Sequence, residues 1–391
     1  MSSALEVIEA TLASQRFDGV RAVIAAHAEA PKTPEQWFAF CETYQGQTDT
    51  ILHRLKAAAP DAPLEQFVAL TALTISVGLA DSAGFPVSVR RQFDAMCREW
   101  VALEPHWADH FDLSNPRFVD VMQLATLHRV VAGEVAFALA PRLPHDFLFR
   151  CHPLHLPRLI GQIFWSMRGA RPILPLHFNY ARRNRLVVSQ AEFERAVWRV
   201  AKMLEQNPRY TGISTNSWFH SAAVRETFPR LAWMRDLFID GGAFAIDLEA
   251  GHADDIGYNS AKRKELYEQG KFLPRHTLIL WPRDSVLAWA ASRPDLKDED
   301  EALIAPPGEG ARYSLPSPPP RPSTRWNSPL HLWDGVKWRR RFGIKYWAAL
   351  LLIPSAVAAG LVGMAFGLSW DLPTFAIAAL VVLTAQYYVS Q

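Results

Sequence analysis

Two long stretches near the end of the chain constrain it more than any other feature. From Tyr346 to Leu368 the sequence YWAALLLIPSAVAAGLVGMAFGL carries no charged residue, and after Ser369-Trp370-Asp371 a second uncharged run extends from Leu372 to Ser390. A helix needs about 20 consecutive apolar residues to cross a bilayer, and the core helices of soluble domains rarely stay uncharged for that long. The expectation is therefore a transmembrane hairpin over 337–391, with spans at 346–368 and 372–390 and Pro373 accommodated at a helix start. Lys337, Arg339, Arg340, Arg341 and Lys345 directly precede the first span, whereas the connecting turn carries only Asp371. Retention of basic residues on the inner side places this cluster, and the body before it, on the cytoplasmic face of an inner membrane. Trp338, Tyr346 and Trp347 fall at one expected interface, Trp370 at the other, and Tyr387 with Tyr388 near the returning end.

The part before the tail is long enough for one large domain or two modest ones. With 391 residues and a formal charge of only +2, the chain lacks the basic excess of a nucleic-acid binder. Cys41, Cys97 and Cys151 are scattered, odd in number and without a CxxC pair, as expected of free thiols in a reducing compartment. The start, MSSALEVIEATLASQRFDG, has acids where an export signal is basic and has no long apolar core, so it reads as part of the folded protein.

Residues 1–128 read as a helical region. Ala4–Leu12, Pro34–Leu55, Pro63–Leu79 and Val87–Leu103 place apolar residues at spacings of three and four between breaks bearing Pro or Gly. From 129 to 294 the texture changes to short apolar or alternating runs, at 134–140, 146–151, 173–178, 210–219, 243–248 and 277–283, which read as strands. Helical patterns at 156–167, 191–205 and 260–268 lie between them, so this region is expected to be an α/β domain around a central sheet. Residues 295–336 are first acidic and then proline-rich, and read as an extended linker to the membrane.

The most informative local motif is Asn259-Ser260-Ala261-Lys262-Arg263-Lys264-Glu265-Leu266-Tyr267-Glu268-Gln269-Gly270-Lys271-Phe272, followed by a strand at 277–281. Asn259 suits an N-cap and Gly270 the residue past a helix end, so Tyr267 is fixed in a last turn. The motif resembles the late motif of Gcn5-related N-acyltransferases, in which an Asn opens a helix, a Leu-Tyr pair lies near its end, and a Gly and an aromatic lead into a strand. The resemblance implies a GNAT-like mixed sheet and attack of an amine on a thioester carbonyl, with a backbone N–H from a splayed strand, here 210–217, facing the developing oxyanion. It also implies that Tyr267 protonates the departing thiolate and that Asn259, Asn216 and Arg263 contact the cofactor portion of the donor. Where the family carries a glycine-rich phosphate turn, this chain reads Asn216-Ser217-Trp218-Phe219-His220-Ser221, which points to an acyl-carrier protein or an unusual grip on acyl-CoA.

Other strand ends carry chemistry of their own. Ser217 and His220 bring a hydroxyl and an imidazole to the end of a strand, although their spacing is not the G-x-S-x-G elbow. His177 closes the run PLHFN ahead of Arg182, Arg183 and Arg185, a polar end on an apolar strand that suits a ligand pocket. His152 and His155 have no third ligand at metal spacing, and no metal is expected. The sequence has no Walker A motif, dinucleotide fingerprint, HExxH or H-x₄-D.

These readings combine into a membrane-anchored N-acyltransferase. Its catalytic candidates are Tyr267, His177 and Ser217, its donor is acyl-CoA or acyl-carrier protein with no tightly bound cofactor, and its acceptor is a lipid-like amine such as an aminolipid or sphingoid base. A tether at the bilayer would raise the effective concentration of such an acceptor. The alternatives are a non-catalytic membrane-anchored interaction protein and a hydrolase using Ser217 and His220.

Overall fold

A computed structural model describes residues 3–44, 46, 50–82, 85–115, 117–139, 147, 150–151, 155–168, 171–178, 189–250 and 260–298. They all belong to one compact unit, Met1–Pro319. Both expected spans and Asn259 lie outside the described residues, as does the linker beyond Asp298.

The helical region begins with α1 (Ala4–Leu12), α2 (Asp18–Ala26), α3 (Pro34–Thr43), α4 (Ile51–Ala58), α5 (Leu64–Ser82) and α6 (Val87–Ala102). The short α7 (Pro105–Ala108) and then α8 (Phe118–Ala125) complete it. Local chemistry sets the helix starts. Ser3 and Glu6 form a reciprocal capping box on α1, and Thr33 with Gln36 does the same on α3, where Pro34 fills the first position. The single helix expected over Pro34–Leu55 is instead two, α3 and α4. The break comes at Tyr44, whose backbone is extended, and Gly46 beyond it has φ +72°, a conformation that glycine adopts readily. Among the described residues one stretch, Leu64–Asp81 on α5, is long and apolar enough by composition to cross a membrane, and about two thirds of it is buried. Here α5 packs against α1, α3, α6 and α8 as the central helix of the region.

The remainder is α/β, with a six-stranded mixed sheet ordered β1-β2-β3-β4-β6-β5. Its strands are β1 (Arg129–Val131), β2 (Val135–Ala138), β3 (Leu174–Phe178), β4 (Gly212–Ser217), β5 (Phe244–Ala250) and β6 (Arg275–Pro282). Helix α9 (Leu156–Gly161) runs into a π-helical turn, Gln162–Ser166, and α10 (Gln190–Gln206) lies between β3 and β4 in the chain. The short α11 (Ala222–Thr227) and α12 (Trp233–Asp240) follow β4, α13 (Ala261–Glu268) lies between β5 and β6, and α14 (Arg283–Ser292) follows β6. The described residues of the segment expected as a strand over 146–151 are not extended: Phe147 and Arg150 are helical, and the Cys151 amide donates to the Phe147 carbonyl four residues back at 3.0 Å. Alternation in DFLFRC therefore reflects burial of Phe147 and Cys151 under the sheet and not strand pairing.

Alternate side chains divide between two faces of the sheet. Leu174, Leu176, Ile213, Ile279 and Trp281 join the main core, which runs continuously from Ala4 in α1 to Leu296 and includes both the helical region and the sheet. Leu278, Leu280, Ile246 and Leu248 face the other way, onto Leu159, Met167, Phe147 and Cys151. Two arginines tie α10 into the assembly. Arg199 is buried and makes a bidentate pair with Asp298, at 2.8 and 2.9 Å, while its third bond reaches the Ala132 carbonyl at 3.0 Å. Arg283 donates from Nη1 to the carbonyls of Leu204, Asn207 and Tyr210, at 2.6, 3.1 and 3.2 Å, and from Nη2 to Glu205 at 3.1 Å. It thus brings charged donors to the carbonyls at and just beyond the end of α10 and opposes the negative end of the helix dipole.

Replacement Arg283→Met keeps the aliphatic stem and removes these bonds. The expected cost is about 1.5–3 kcal/mol, the range for hydrogen bonds to a charged group, read as a lower midpoint in thermal melting. Arg283→Lys should recover only part of it, because an ammonium lacks the planar fork that reaches four carbonyls.

Candidate functional site

All other neighbouring strands in the sheet are antiparallel, but β3 and β4 are parallel, paired at Leu174 with Ile213, Pro175 with Ser214 and Leu176 with Thr215. That ladder then stops. Beyond it, β3 continues to Phe178 against Val135 of β2, and β4 continues to Ser217 against Thr277 of β6. The two strands therefore part at their C-terminal ends, the place in a parallel pair where ligands usually bind.

Backbone direction follows from neighbouring bonds. The amides of Ala132 and Leu139 donate to the carbonyls of Val135 and His128, so odd-numbered residues of β2 face β1 and Ala136 faces β3. Ala136 is opposite His177, so His177 bonds toward β2 and Phe178 turns its N–H and carbonyl toward β4, past the last rung of the ladder. The Thr211 amide donates to the Pro172 carbonyl, which gives the same parity from the other side. The opening thus has a backbone N–H directed into it.

Side-chain parity places His177 and Asn216 together. Leu176 and Thr215 are the last pair; one residue further, His177 and Asn216 lie on the face opposite the main core, with Asn216 across from Leu278. The Asn216 Oδ1 is buried and accepts no hydrogen bond from the described residues. A buried amide oxygen without a donor costs about 1–3 kcal/mol, so a ligand N–H or O–H at this point would relieve it.

Ser217 and Phe178 lie on the other face. The Ser217 hydroxyl accepts from the Phe219 amide at 3.2 Å and so acts as a local cap. An aromatic row closes this side: Phe178 meets Phe219 at 5.4 Å, Phe219 stacks on Trp218 at 3.9 Å, and Trp218 meets Phe272 edge-on at 6.0 Å. Helix α13 packs on this row. The Arg263 guanidinium sits 5.4 Å over the Trp218 ring, and Leu266 and Tyr267 pack around Trp218, Val224 and Phe272. The Ser260 hydroxyl caps this helix by accepting from the Arg263 amide at 3.3 Å.

Both histidines are held neutral. Burial, with the Arg129 charge adding to it, pushes the His177 imidazole down to about 3. Burial also pushes His220 down to about 3, with Arg235 contributing; Arg235 donates to the His220 carbonyl. His220 Nε2 lies 3.4 Å from Thr215 Oγ1, its ring meets Phe238, and its Nδ1 is buried without a hydrogen bond from the described residues. Among the described residues no hydrogen bond joins Ser217 to His220: the His220 Nε2 faces Thr215, and the Ser217 hydroxyl faces the Phe219 amide.

Of the residues singled out in the sequence, His177, Asn216 and Ser217 gather at the parting strands, and Arg263 with Tyr267 lies on the aromatic row beside them. Sequence reasoning missed Phe178 and Phe219, whose role depends on the parting of two strands 39 residues apart at their last rung, Leu176 and Thr215, and has no local signature. The one available signal was the aromatic residue at the end of each strand.

The chain matches no protein-family model, no curated protein and no solved structure.

Lowered histidine pKa values give a stability prediction with a defined sign. Between about pH 6.5 and 3 the unfolded chain binds protons at His177 and His220 that the folded chain refuses, so stability falls on acidification. The expected slope is at most about 1.4 kcal/mol per pH unit for each histidine. Melting at pH 7 and pH 5 should show a smaller difference for His220→Gln than for the parent.

Proposed function

We propose that the chain is a membrane-anchored N-acyltransferase that moves a fatty acyl group from acyl-CoA or acyl-carrier protein to the amine of a lipid-like acceptor. The parting of β3 from β4 beyond Leu176 and Thr215 carries the reading, because it supplies an opening with a backbone N–H and an unfilled buried acceptor. The mixed sheet and the α13 motif are compatible with a GNAT-like enzyme, although α13 here connects the last two strands, β5 and β6. The uncharged runs 346–368 and 372–390 support an inner-membrane hairpin, and with it an acceptor that resides in the bilayer.

In this mechanism the acceptor nitrogen attacks the thioester carbonyl carbon, the C–N bond forms and the C–S bond breaks. The Phe178 N–H faces the developing oxyanion, a type of contact often worth about 10² to 10³ in rate. Asn216 Oδ1 accepts a hydrogen bond from the attacking amine and fixes its lone pair. Tyr267 gives its phenolic proton to the departing thiolate, and the proton released by the amine returns to it through water. His177, neutral at working pH, serves as a hydrogen-bonding group and not as a proton store. Ser217 and His220 have no part in the chemistry, and Arg263 binds the donor at the Trp218 edge.

The test is untargeted lipid mass spectrometry on cells with the protein, without it, and with Tyr267→Phe at equal level. Loss of an N-acylated lipid with accumulation of its free amine, not restored by Tyr267→Phe, is the expected result. In a purified assay the same variant should lose about 10² to 10⁴ in kcat, the usual worth of acid assistance. A lipid profile unchanged across all three arms would refute the reading.

A further inference from the structure

We propose that the helical segment 156–166 is a membrane-docking element that seats Ile160, Phe164 and Trp165 in the headgroup boundary of an anionic bilayer. Among the described residues, three of the five exposed large hydrophobic side chains fall within these few positions: Ile160 at 39%, Phe164 at 65% and Trp165 at 83% exposure. Ile160 and Phe164 are four apart and share a helix face. Trp165 lies back over Gly161, where an added Cβ would come within 3.2 Å of the indole, so its ring forms the outermost surface of the segment.

The opposite side of the same segment is fixed. Leu159 is fully buried, Ile163 partly so, and Met167 just beyond is buried, all against the sheet face that carries Leu278 and Leu280. The apolar trio is therefore presented on a rigid base. Its charge surroundings favour anionic lipid. Arg158, Arg168 and Arg171 flank it, and residues 155–178 contain no Asp or Glu. The Arg168 pair with Asp284 has both side chains well exposed, at 62% and 78%, so a lipid phosphate can displace the carboxylate at little cost. Trp and Phe at the centre with Arg at the margins is the arrangement of interfacial membrane helices. The two uncharged runs in the tail would hold such an element close to a bilayer, and the inference stands apart from the acyl-transfer chemistry.

The test uses the full chain with Trp165→Cys, and in parallel Phe164→Cys, each carrying a nitroxide label, and Glu192→Cys at an exposed position in the first turn of α10 as the aqueous reference. Cys41, Cys97 and Cys151 are buried, so labelling goes to the introduced thiol. The probe is a vesicle of phosphatidylcholine with phosphatidylglycerol added. At positions 164 and 165, oxygen collisions should rise and collisions with a water-soluble nickel chelate should fall, several-fold relative to position 192. Accessibility to both reagents equal to that at 192 would overturn the proposal. Shielding from both would overturn it too, because the patch would then be covered by protein. The label reads position and not turnover, so this outcome is separable from that of the lipid profile.

Discussion

A guanidinium at the end of one helix holds the geometry on which the rest of this fold depends. Arg283 begins α14 immediately after β6, yet its donors reach back to the carbonyls that close α10 and lead into β4. Because α10 is the link between the only parallel strands among those described, the bond network fixes where β4 starts relative to β3. The Arg283 amide also donates to the Thr211 carbonyl, so backbone and side chain act on the same junction. Burial lowers the guanidinium pKa somewhat, but an arginine still stays charged at any working pH.

From that fixed start the two strands run together for three pairs and then part. Parallel pairing leaves the C-terminal ends of both strands on one side, and the parting turns that edge from a hydrogen-bonded seam into an opening with polar groups. Close packing guards the other end: at Gly212 a Cβ would come within 2.3 Å of the Trp281 carbonyl, and at Gly241 within 2.4 Å of the Trp281 ring. The Trp281 indole N–H donates to the Gly241 carbonyl at 2.7 Å, so one tryptophan joins the sheet to the end of α12.

Much of this architecture was legible from local pattern. The extents of α1, α10 and α13 and of strands β3 to β6 follow periodicity and caps that lie within each segment. Failures came where distant contacts decide. DFLFRC alternates like a strand, but Phe147 and Arg150 are helical, and Phe147 and Cys151 are buried beneath the sheet. β1 has three residues, Arg129–Val131, too few to give a period, and is defined by its partner β2. In the site, His177 was visible as a polar residue closing an apolar strand and Asn216 only through the acyltransferase resemblance, while their side-by-side placement depends on a register that no local segment encodes. The neutral state of both histidines depends on burial and was equally invisible.

The salt bridge between Arg199 and Asp298 acquires a mechanical meaning from its position. Asp298 lies in the stretch after α14, and its carboxylate is gripped by two donors of a guanidinium rooted in the core. A pull on the chain beyond Asp298 is therefore borne by α10 and, through the Ala132 carbonyl, by the turn between β1 and β2.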